Sequence, residues 1–250
     1  MGVSSANVAT FKLSYFWAIS KDTDATVSAE YMSNRGVMLG AQYRYFIRED
    51  LKGELEGNII NDNDYGDVRY QLKAKHQQVF FKDLKLKANI WHVSDNDYLK
   101  DFGKTITERS ESQLKSTVYL EKPLRKSLLT GGVSKFRNLL MDDDSTIFQY
   151  YPEITYFTEY IPIARTNMYL DLNSSLTNFY RDKGDTFTRM TLDPSLKLPL
   201  PYKGLNTLLS GTLYESGYLV NRGDTYNGTT KHRQTFRLDG DTNMQFLKTY

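Results

Sequence analysis

The stretch TFKLSYFWAIS, residues 10–20, alternates between two kinds of side chain and decides the fold class. Every second residue is apolar, giving the row Phe11, Leu13, Tyr15, Trp17 and Ile19. The residues between them are mostly polar, beginning with Lys12 and Ser14. A period of two predicts a β-strand whose two faces meet different surroundings.

The same alternation recurs along the chain. Apolar rows occupy alternate positions within 25–31, 37–45, 55–59, 68–74, 84–90, 148–156, 168–176 and 190–198. A further predicted row is Leu114, Val118 and Leu120, opposite Lys115 and Thr117. Weaker patterns lie near 128–138, 205–215 and 233–246. We count about thirteen strands, no convincing helix and no domain boundary, which predicts an all-β, antiparallel chain with one domain over residues 1–250.

Composition excludes several classes of function. The net charge is only +2 and Lys and Arg do not cluster on one periodic face, so we expect no nucleic-acid partner. The chain has no cysteine, which excludes a disulfide framework and a thiolate metal site. No apolar run approaches 18 residues, so no transmembrane helix is expected. The 19 Tyr and 13 Phe suit either a soluble β-fold or a surface between lipid and water.

The connections between strands separate these two classes. Short connections alternate with mostly longer ones, and such asymmetry is typical of outer-membrane barrels, whose short turns face the periplasm. The predicted short set is 21–24, 48–53, 81–84, 122–127, 159–165 and 199–204. The other set is 34–36, 61–67, 94–111, 139–146, 180–186 and 215–233. A transmembrane β-barrel is therefore favoured over a soluble β-fold.

The alternation also predicts strand direction. If the turn at 21–24 is periplasmic, the strand at 10–20 runs downward from the cell surface. Barrel chains enter from the periplasm and usually have an even number of strands. We therefore expect an upward strand to precede residue 10 and expect the chain to be a fragment.

Three stretches resemble the barrel domain of the lipopolysaccharide-assembly protein LptD family, also called OstA or Imp. The most specific is LSYFWAISKDTDATVSAEYMSNRGVMLGAQYRY, residues 13–45, with its aromatic triplet ending in Trp17, the Asp-Ala-Thr at 24–26, Arg35-Gly36 and Arg44-Tyr45. Residues 148–157, FQYYPEITYF, and 188–204, TRMTLDPSLKLPLPYKG, are similar to later strands of the family. One departure is Ser14, where the family usually has a proline.

The resemblance implies about half of a barrel of roughly 26 strands, with GVSS at 2–5 closing the first strand. The periplasmic N-terminal domain and the C-terminal half of the barrel would be absent. It implies a non-enzymatic translocon in the outer membrane of a Gram-negative bacterium, inserting lipopolysaccharide into the outer leaflet. The implied partners are lipopolysaccharide, membrane lipid, an LptE-like outer-membrane lipoprotein plug, and periplasmic lipopolysaccharide bridge proteins that act through the missing N-terminal domain.

Candidate site residues follow from the two rows. The row Phe11, Leu13, Tyr15, Trp17 and Ile19 is expected to meet lipid. The interleaved cations are expected to face the lumen and contact saccharide or phosphate: Lys12, Arg44, Arg69, Lys73, Lys75, Lys85, Lys87 and Lys115. An equally weighted alternative is a generic hydrated lumen balanced by Glu54, Glu56 and Glu121.

No catalytic, cofactor or metal site is predicted. His76, His92 and His232 have no ligand spacing. Asp62, Asp64 and Gly66 are spaced like part of a calcium loop, but the bidentate glutamate is missing, so a solvated loop is favoured. Asp142–Asp144 is interpreted as a plain loop. Two other functions remain open, an outer-membrane diffusion pore and a soluble β-rich binding protein.

Overall fold

The structure is a computed structural model that describes residues 9–222 and 230–244. These residues form thirteen strands and two short helices. The strands are β1 (Thr10–Ser20), β2 (Thr23–Met32), β3 (Gly36–Arg48), β4 (Leu51–Asp62), β5 (Asp67–Phe80), β6 (Leu84–Val93), β7 (Gln113–Pro123), β8 (Ser127–Asn138), β9 (Gln149–Pro162), β10 (Tyr169–Tyr180), β11 (Thr186–Tyr202), β12 (Leu205–Arg222) and β13 (Thr230–Met244). The helices, between β6 and β7, are α1 (Tyr98–Phe102) and α2 (Ile106–Arg109).

The strands form one sheet in which they follow chain order from β1 to β13. Neighbouring strands are antiparallel, as in the pair of Leu13 with Ala29 on β1 and β2, or of Leu176 with Met190 on β10 and β11. The predicted fold class, all-β and antiparallel with about thirteen strands, is confirmed. Strand-by-strand order of this kind is the order of an up-and-down barrel.

Connections at one end of the strands are mostly tight. They are 21–22, 49–50, 81–83, 124–126, 163–168 and 203–204. In the turn at 203–204 both residues have positive φ, 45° at Lys203 and 85° at Gly204, which matches the two-residue hairpin turn favoured by strand twist. We call this the short-turn end.

The opposite, long-loop end carries 33–35, 63–66, 94–112, 139–148 and 181–185. The predicted loop at 215–233 is mostly wrong, because β12 continues to Arg222 and β13 begins at Thr230, with Leu219 opposite Thr230. Ladder hydrogen bonds extend this hairpin beyond the alternating segment. Residues 223–229, like the predicted strand end at 2–5, lie outside the described residues.

The prediction of no helix is also wrong in one place. Residues 94–112 contain α1 and α2, of five and four residues. Helices this short cannot show an apolar period, so the sequence pattern missed them. The Thr105 side chain caps α2 by accepting a hydrogen bond from the Glu108 backbone N–H.

The described residues divide into two compact units. The first unit comprises residues up to 119 together with 134–147, and the second comprises 120–133 together with residues from 148 onward. Buried apolar side chains of the first unit gather at its long-loop end. Among the described residues, no helix has the length and apolar character needed to span a membrane.

Candidate functional site

The strand register sorts the side chains of β1–β6 onto two faces. Directly paired residues share a face, so Tyr15, Val27, Ala41, Gly57 and Leu72 form one continuous line across β1–β5. We call this the apolar face. It holds the predicted lipid-facing row Phe11, Leu13, Tyr15, Trp17 and Ile19, all of it exposed.

The other side is the polar face. The register aligns Ser14, Ser28, Gly40, Asn58 and Gln71 across the same five strands. Seven of the eight predicted lumen-facing cations lie on this face: Lys12, Arg44, Arg69, Lys73, Lys75, Lys85 and Lys87. The structure therefore brings them to one surface from four strands, β1, β3, β5 and β6.

The eighth cation, Lys115, is separated from this group. Its neighbour Leu114, which the sequence pattern assigned to the apolar row, is buried with Val93 and Leu139 beneath the long-loop end. Val93 is on the polar face, because it pairs with Gln71. The Lys115 ammonium instead lies 5.4 Å from the centre of the Phe136 ring.

The cations of the polar face differ in their partners. The Lys12 ammonium lies 3.3 Å from a Glu30 carboxylate oxygen, and Arg44 Nε lies 2.9 Å from Asp24 Oδ1. Lys73 pairs with Glu108 of α2 and also lies over the Trp91 ring. Among the described residues, neither Lys75 nor Lys85 has an ion-pair partner.

The segment 94–112 packs against the polar face at the long-loop end. Tyr98 and Leu99 of α1 are buried in a cluster with Val93, Leu114 and Leu139. Phe102 packs both against this cluster and against a second one formed by Met32, Met38 and Ile60. The loop therefore has its own apolar core on an otherwise polar surface.

Two arginines bind this segment to the strands. Arg69 donates two hydrogen bonds to Asp95, of 2.9 and 2.8 Å, and reaches Asp101 at 2.6 Å and Asp62 at 3.0 Å. Arg35 reaches Asp62 at 2.8 Å and Asp101 at 3.0 Å. We call these two arginines and three aspartates the long-loop network.

The centre of the network is desolvated. The Arg69 and Asp62 side chains are 1% and 0% exposed, and the Arg69 guanidinium stacks 5.0 Å from the Phe102 ring centre. Burying charges is costly unless every charge is paired, and here each arginine faces more than one carboxylate. Arg69, predicted as a saccharide contact, is thus already occupied by carboxylates.

Two further contacts fasten the segment to the middle of the polar face. Lys104 pairs with Glu56 of β4, and Glu108 accepts a 2.8 Å hydrogen bond from the Lys104 backbone N–H. Because Glu108 also pairs with Lys73, it connects β5 to the residues at the start of α2. The segment therefore pairs with two charged side chains of the strands besides those of the network, Glu56 and Lys73.

Two acidic groups of the segment, Asp95 and Glu108, have pKa values below their usual range. Burial alone would raise the pKa of Asp95, but hydrogen bonds from Arg69 and Ser94 outweigh it and lower that pKa. Burial would likewise raise the pKa of Glu108, and the hydrogen bonds from Lys73 and from the Lys104 backbone N–H, together with the charges of these two lysines, outweigh it and lower that pKa. Burial raises the pKa of the Tyr98 hydroxyl.

Sequence inspection missed most of this network. The interpretation of 61–67 as a solvated loop is wrong for Asp62, whose carboxylate also accepts hydrogen bonds from the backbone N–H groups of Asp64 and Tyr65. An aspartate followed by short polar residues signals such a turn. No local pattern indicates that Asp95 and Asp101 meet Arg69.

The second unit also has a polar and an apolar side. The register pairs Asp171 with Ser195 and Thr177 with Arg189, while Leu176 pairs with Met190 on the other side. Lys197 forms an ion pair with Asp171. The Arg189 guanidinium lies 4.9 Å from the Phe179 ring centre.

The three histidines, which lack ligand spacing in the sequence, lie on three different strands: His76 on β5, His92 on β6 and His232 on β13. Within residues 9–222 and 230–244, no group of three or more His, Asp or Glu side chains is arranged to hold a metal ion. In the 139–148 loop, Asp144 accepts a hydrogen bond from the Asn138 backbone N–H and Asp143 accepts one from that of Ser145.

Strands in chain order, with one exposed apolar face and one charged face, define the class: an antiparallel sheet of the kind that transmembrane barrels use. A protein-family model described as LptD, LPS transport system D, matches residues 67–247. Because this match covers well over half of the chain, the chain belongs to the LptD family.

Individual relatives carry the same family name. LPS-assembly protein LptD of Shewanella sp. (strain MR-4) is 28% identical over 191 residues, covering 74% of this chain and 25% of the relative. The proteins of that name from Aliivibrio fischeri and Nitrosomonas eutropha are 28% and 30% identical, each over 80% of this chain and 26% and 28% of their own lengths. The chain spans about a quarter of the length of the relatives it matches.

Proposed function

We propose that this chain is part of an outer-membrane β-barrel that assembles lipopolysaccharide at the surface of a Gram-negative cell, inserting it into the outer leaflet. The observation that carries the proposal is the family match over 67–247, which falls on a sheet with one apolar and one charged face. The quarter-length coverage supports the further proposal that residues 1–250 are one part of the barrel domain of a longer protein.

The apolar face fits contact with lipid. Leu39, Leu55 and Ile59, in the middle of their strands, are about half exposed, as expected for side chains that need a non-aqueous neighbour. β1 has 11 residues; at about 3.3 Å per residue and a tilt of about 40° it rises about 28 Å, enough for an apolar band of about 25 Å.

Aromatic side chains flank this band. Tyr31 and Tyr70 lie on the apolar face toward the long-loop end, whereas Trp17, Tyr43 and Tyr45 lie on it toward the short-turn end. Aromatic rings with polar atoms favour the two interfaces of a membrane. Their positions support a membrane boundary near each end of the strands.

The polar face fits a path for saccharide. Lys75, Lys85 and Lys87 extend from β5 and β6 toward the short-turn end, where they would meet phosphorylated sugars by charge-assisted hydrogen bonds. The acyl chains would remain on the apolar face of the sheet, in contact with membrane lipid. No covalent chemistry is required of any side chain.

The packed segment 94–112 supports a lipid-assembly barrel over an open diffusion pore. It covers the polar face of the first unit at the long-loop end with buried side chains and paired charges. A permanently open pore would be obstructed by such a segment, whereas a translocon needs a closed surface between rounds. We propose as partners an LptE-like lipoprotein plug and, through a periplasmic N-terminal domain, the lipopolysaccharide bridge proteins.

Controlled depletion of the full-length protein tests the function. We expect surface lipopolysaccharide, measured by antibody binding to intact cells, to fall as the protein is depleted, and hydrophobic antibiotics to become more toxic. Restored expression should reverse both effects. Depletion that leaves surface lipopolysaccharide unchanged but slows uptake of small hydrophilic solutes would contradict the proposal and indicate a diffusion pore.

A further inference from the structure

Lys115 lies on the opposite side of the sheet from the other candidate cations. Its neighbour Leu114 is buried with Val93 on the polar face, so alternation along β7 directs Lys115 to the apolar side. The Lys115 side chain is exposed there, with its ammonium next to the ring of Phe136. In the part of the chain that the structure describes, this ammonium has no ion-pair partner.

An irregularity in β7 accounts for this placement. Leu114 faces the polar side, and so does Tyr119, whose ring centre lies 5.7 Å from the Lys87 ammonium of the polar face. These two positions are five residues apart, so unbroken alternation would put them on opposite faces. The alternation therefore breaks between them, as it does at a β-bulge. Bulges often redirect a side chain beside a functional site.

Ser116 marks the position of this break. Its hydroxyl accepts a 3.0 Å hydrogen bond from the Trp91 backbone N–H and donates one of 3.1 Å to the Trp91 carbonyl oxygen. Backbone groups that point toward a neighbouring strand ordinarily bond to its backbone, and here a side chain takes that place. The sequence pattern assumed unbroken alternation from Leu114 to Leu120, so its assignment of Lys115 to the lumen is wrong.

The neighbours of Lys115 form a stripe across four strands at the long-loop end. His92 of β6 lies beside Lys115, because the residues on either side of His92 contact those on either side of Lys115. His92 pairs with Leu72 and is therefore on the apolar face. Its ring centre lies 5.8 Å from that of Tyr70. We call Tyr70, His92, Lys115 and Phe136 the lysine stripe.

The positive charge of Lys115 is isolated on this side of the sheet. In the half of β1–β6 nearer the long loops, the register places no Asp, Glu, Lys or Arg on the apolar face. The cost of a cation facing lipid is smallest near the membrane boundaries. Lys115 is the third residue of β7, about 5 Å from the start of the strand along the membrane normal. Its long stem can carry the ammonium to the level of the head groups.

From this placement we propose that the lysine stripe binds the phosphate of an anionic lipid head group in the leaflet at the long-loop end. Lys115 contacts the phosphate, and His92 donates a hydrogen bond from a ring N–H. The rings of Tyr70 and Phe136 pack against the glycerol and the first methylenes of the lipid. Charge complementarity selects an anionic lipid, because no described carboxylate pairs with Lys115. This inference rests on the membrane placement of the apolar face within the proposed function.

Photocrosslinking in lipid nanodiscs tests the site on the purified full-length protein. Gln113→p-benzoylphenylalanine places the probe two residues before Lys115 on β7, and Leu39→p-benzoylphenylalanine places it on the apolar face of β3. The nanodiscs contain equal amounts of phosphatidylglycerol and phosphatidylcholine with identical acyl chains. Mass spectrometry of the crosslinked lipid should show phosphatidylglycerol favoured about fivefold at position 113, the selectivity of one lysine near a membrane surface, and no preference at position 39.

Substitutions of Lys115 test its role directly. In the position 113 background, Lys115→Gln should abolish the preference, whereas Lys115→Arg should retain it because the charge is kept. Lys135→Gln is the matched control, because it removes one positive charge from β8 at the same end of the sheet, where Lys135 lines a cavity with Trp91 of the polar face. This control should leave the preference unchanged. Lipid crosslinking at position 39 in each variant shows that the protein is still embedded.

The outcomes separate the site from the function on which it rests. Equal capture of the two lipids at position 113, with normal crosslinking at position 39, would overturn the lipid site and leave the proposed function standing. A preference that survives Lys115→Gln would overturn the role of Lys115. The absence of lipid crosslinks at both positions would overturn the membrane placement, and the proposed function with it.

Discussion

Arg69 links two distant parts of the chain, because its guanidinium contacts Asp62 at the end of β4 and Asp95 and Asp101 beyond the end of β6. Arg69→Met would leave Asp62, which is fully buried, with one arginine instead of two. Removing one partner of a buried ion pair costs about 3 to 5 kcal/mol. We expect the free energy of unfolding in urea to fall by about this amount and residues 94–112 to become sensitive to protease.

The control is Arg48→Met, which removes an arginine whose pair with Asp50 is exposed. Exposed pairs contribute roughly 0 to 1 kcal/mol, so this variant should be nearly as stable as the parent. Equal destabilisation by the two substitutions would show that the long-loop network has no special role in attaching the segment.

Acid should release the segment 94–112. The pKa values of Asp95 and Glu108 are lower in the folded state than their ordinary values, so their stabilisation is complete above about pH 5 and is lost as pH falls through the folded-state values. The protection factors of residues 98–109 in hydrogen–deuterium exchange, measured relative to the intrinsic exchange rate at each pH, should therefore fall below about pH 4. Asp95→Asn should flatten this pH dependence, and protection that is unchanged on acidification would contradict the assignment.

At the scale of one element, β1 tests which face meets lipid. Leu13 lies on the apolar face and Ser14 on the polar face, each near the middle of the strand. In a membrane, Leu13→Arg should cost about 2 to 4 kcal/mol, whereas Ser14→Arg should be mild. Urea unfolding of the full-length protein in lipid vesicles measures both, and similar costs would reject the assignment of faces.

At the scale of the whole molecule, the orientation predicts which end faces the outside. Ile106 in α2 and Phe81 in the 81–83 turn are equally exposed, at 87%. Ile106→Cys and Phe81→Cys, each in a protein without another reactive cysteine, form a matched pair. A membrane-impermeant maleimide added to intact cells should label position 106, and position 81 only after lysis. The reverse result would invert the orientation.

The 250-residue chain expressed alone should not form a closed monomeric barrel. In an antiparallel sheet that follows chain order, β1 and β13 run in the same direction, so their pairing would be parallel. Unpaired strand edges in hydrocarbon cost several kcal/mol for each group. We expect oligomers or aggregates in detergent by size-exclusion chromatography with light scattering. A monodisperse, heat-resistant monomer would contradict this expectation.

The alternation of side chains predicted which residues share a face of the sheet more accurately than it predicted the extent and structure of the loops. The rows of β1–β6 are as expected, because side chains on a strand alternate whatever lies beyond it. Leu114 is an exception. The alternation assigns it to the exposed apolar row, but its side chain is buried in the cluster that contains Tyr98 and Leu99 of α1. The alternation also predicted that most of the candidate cations share a face, but it could not predict their partners. Arg69 forms ion pairs with carboxylates, whereas Lys75 has no ion-pair partner among the described residues.

What the sequence alone determined is the two-faced antiparallel sheet, its strand number, the contrast between short and long connections, and the family. These depend on local periodicity and on turn lengths, which a single strand or hairpin expresses by itself. Only the tertiary structure decided that 94–112 packs on the polar face and which charges stay available. The contacts responsible join residues 26 to 66 positions apart, such as Arg69 with Asp95 and Arg35 with Asp101. No local pattern records a separation of that size, because burial and pairing exist only once the strands are side by side.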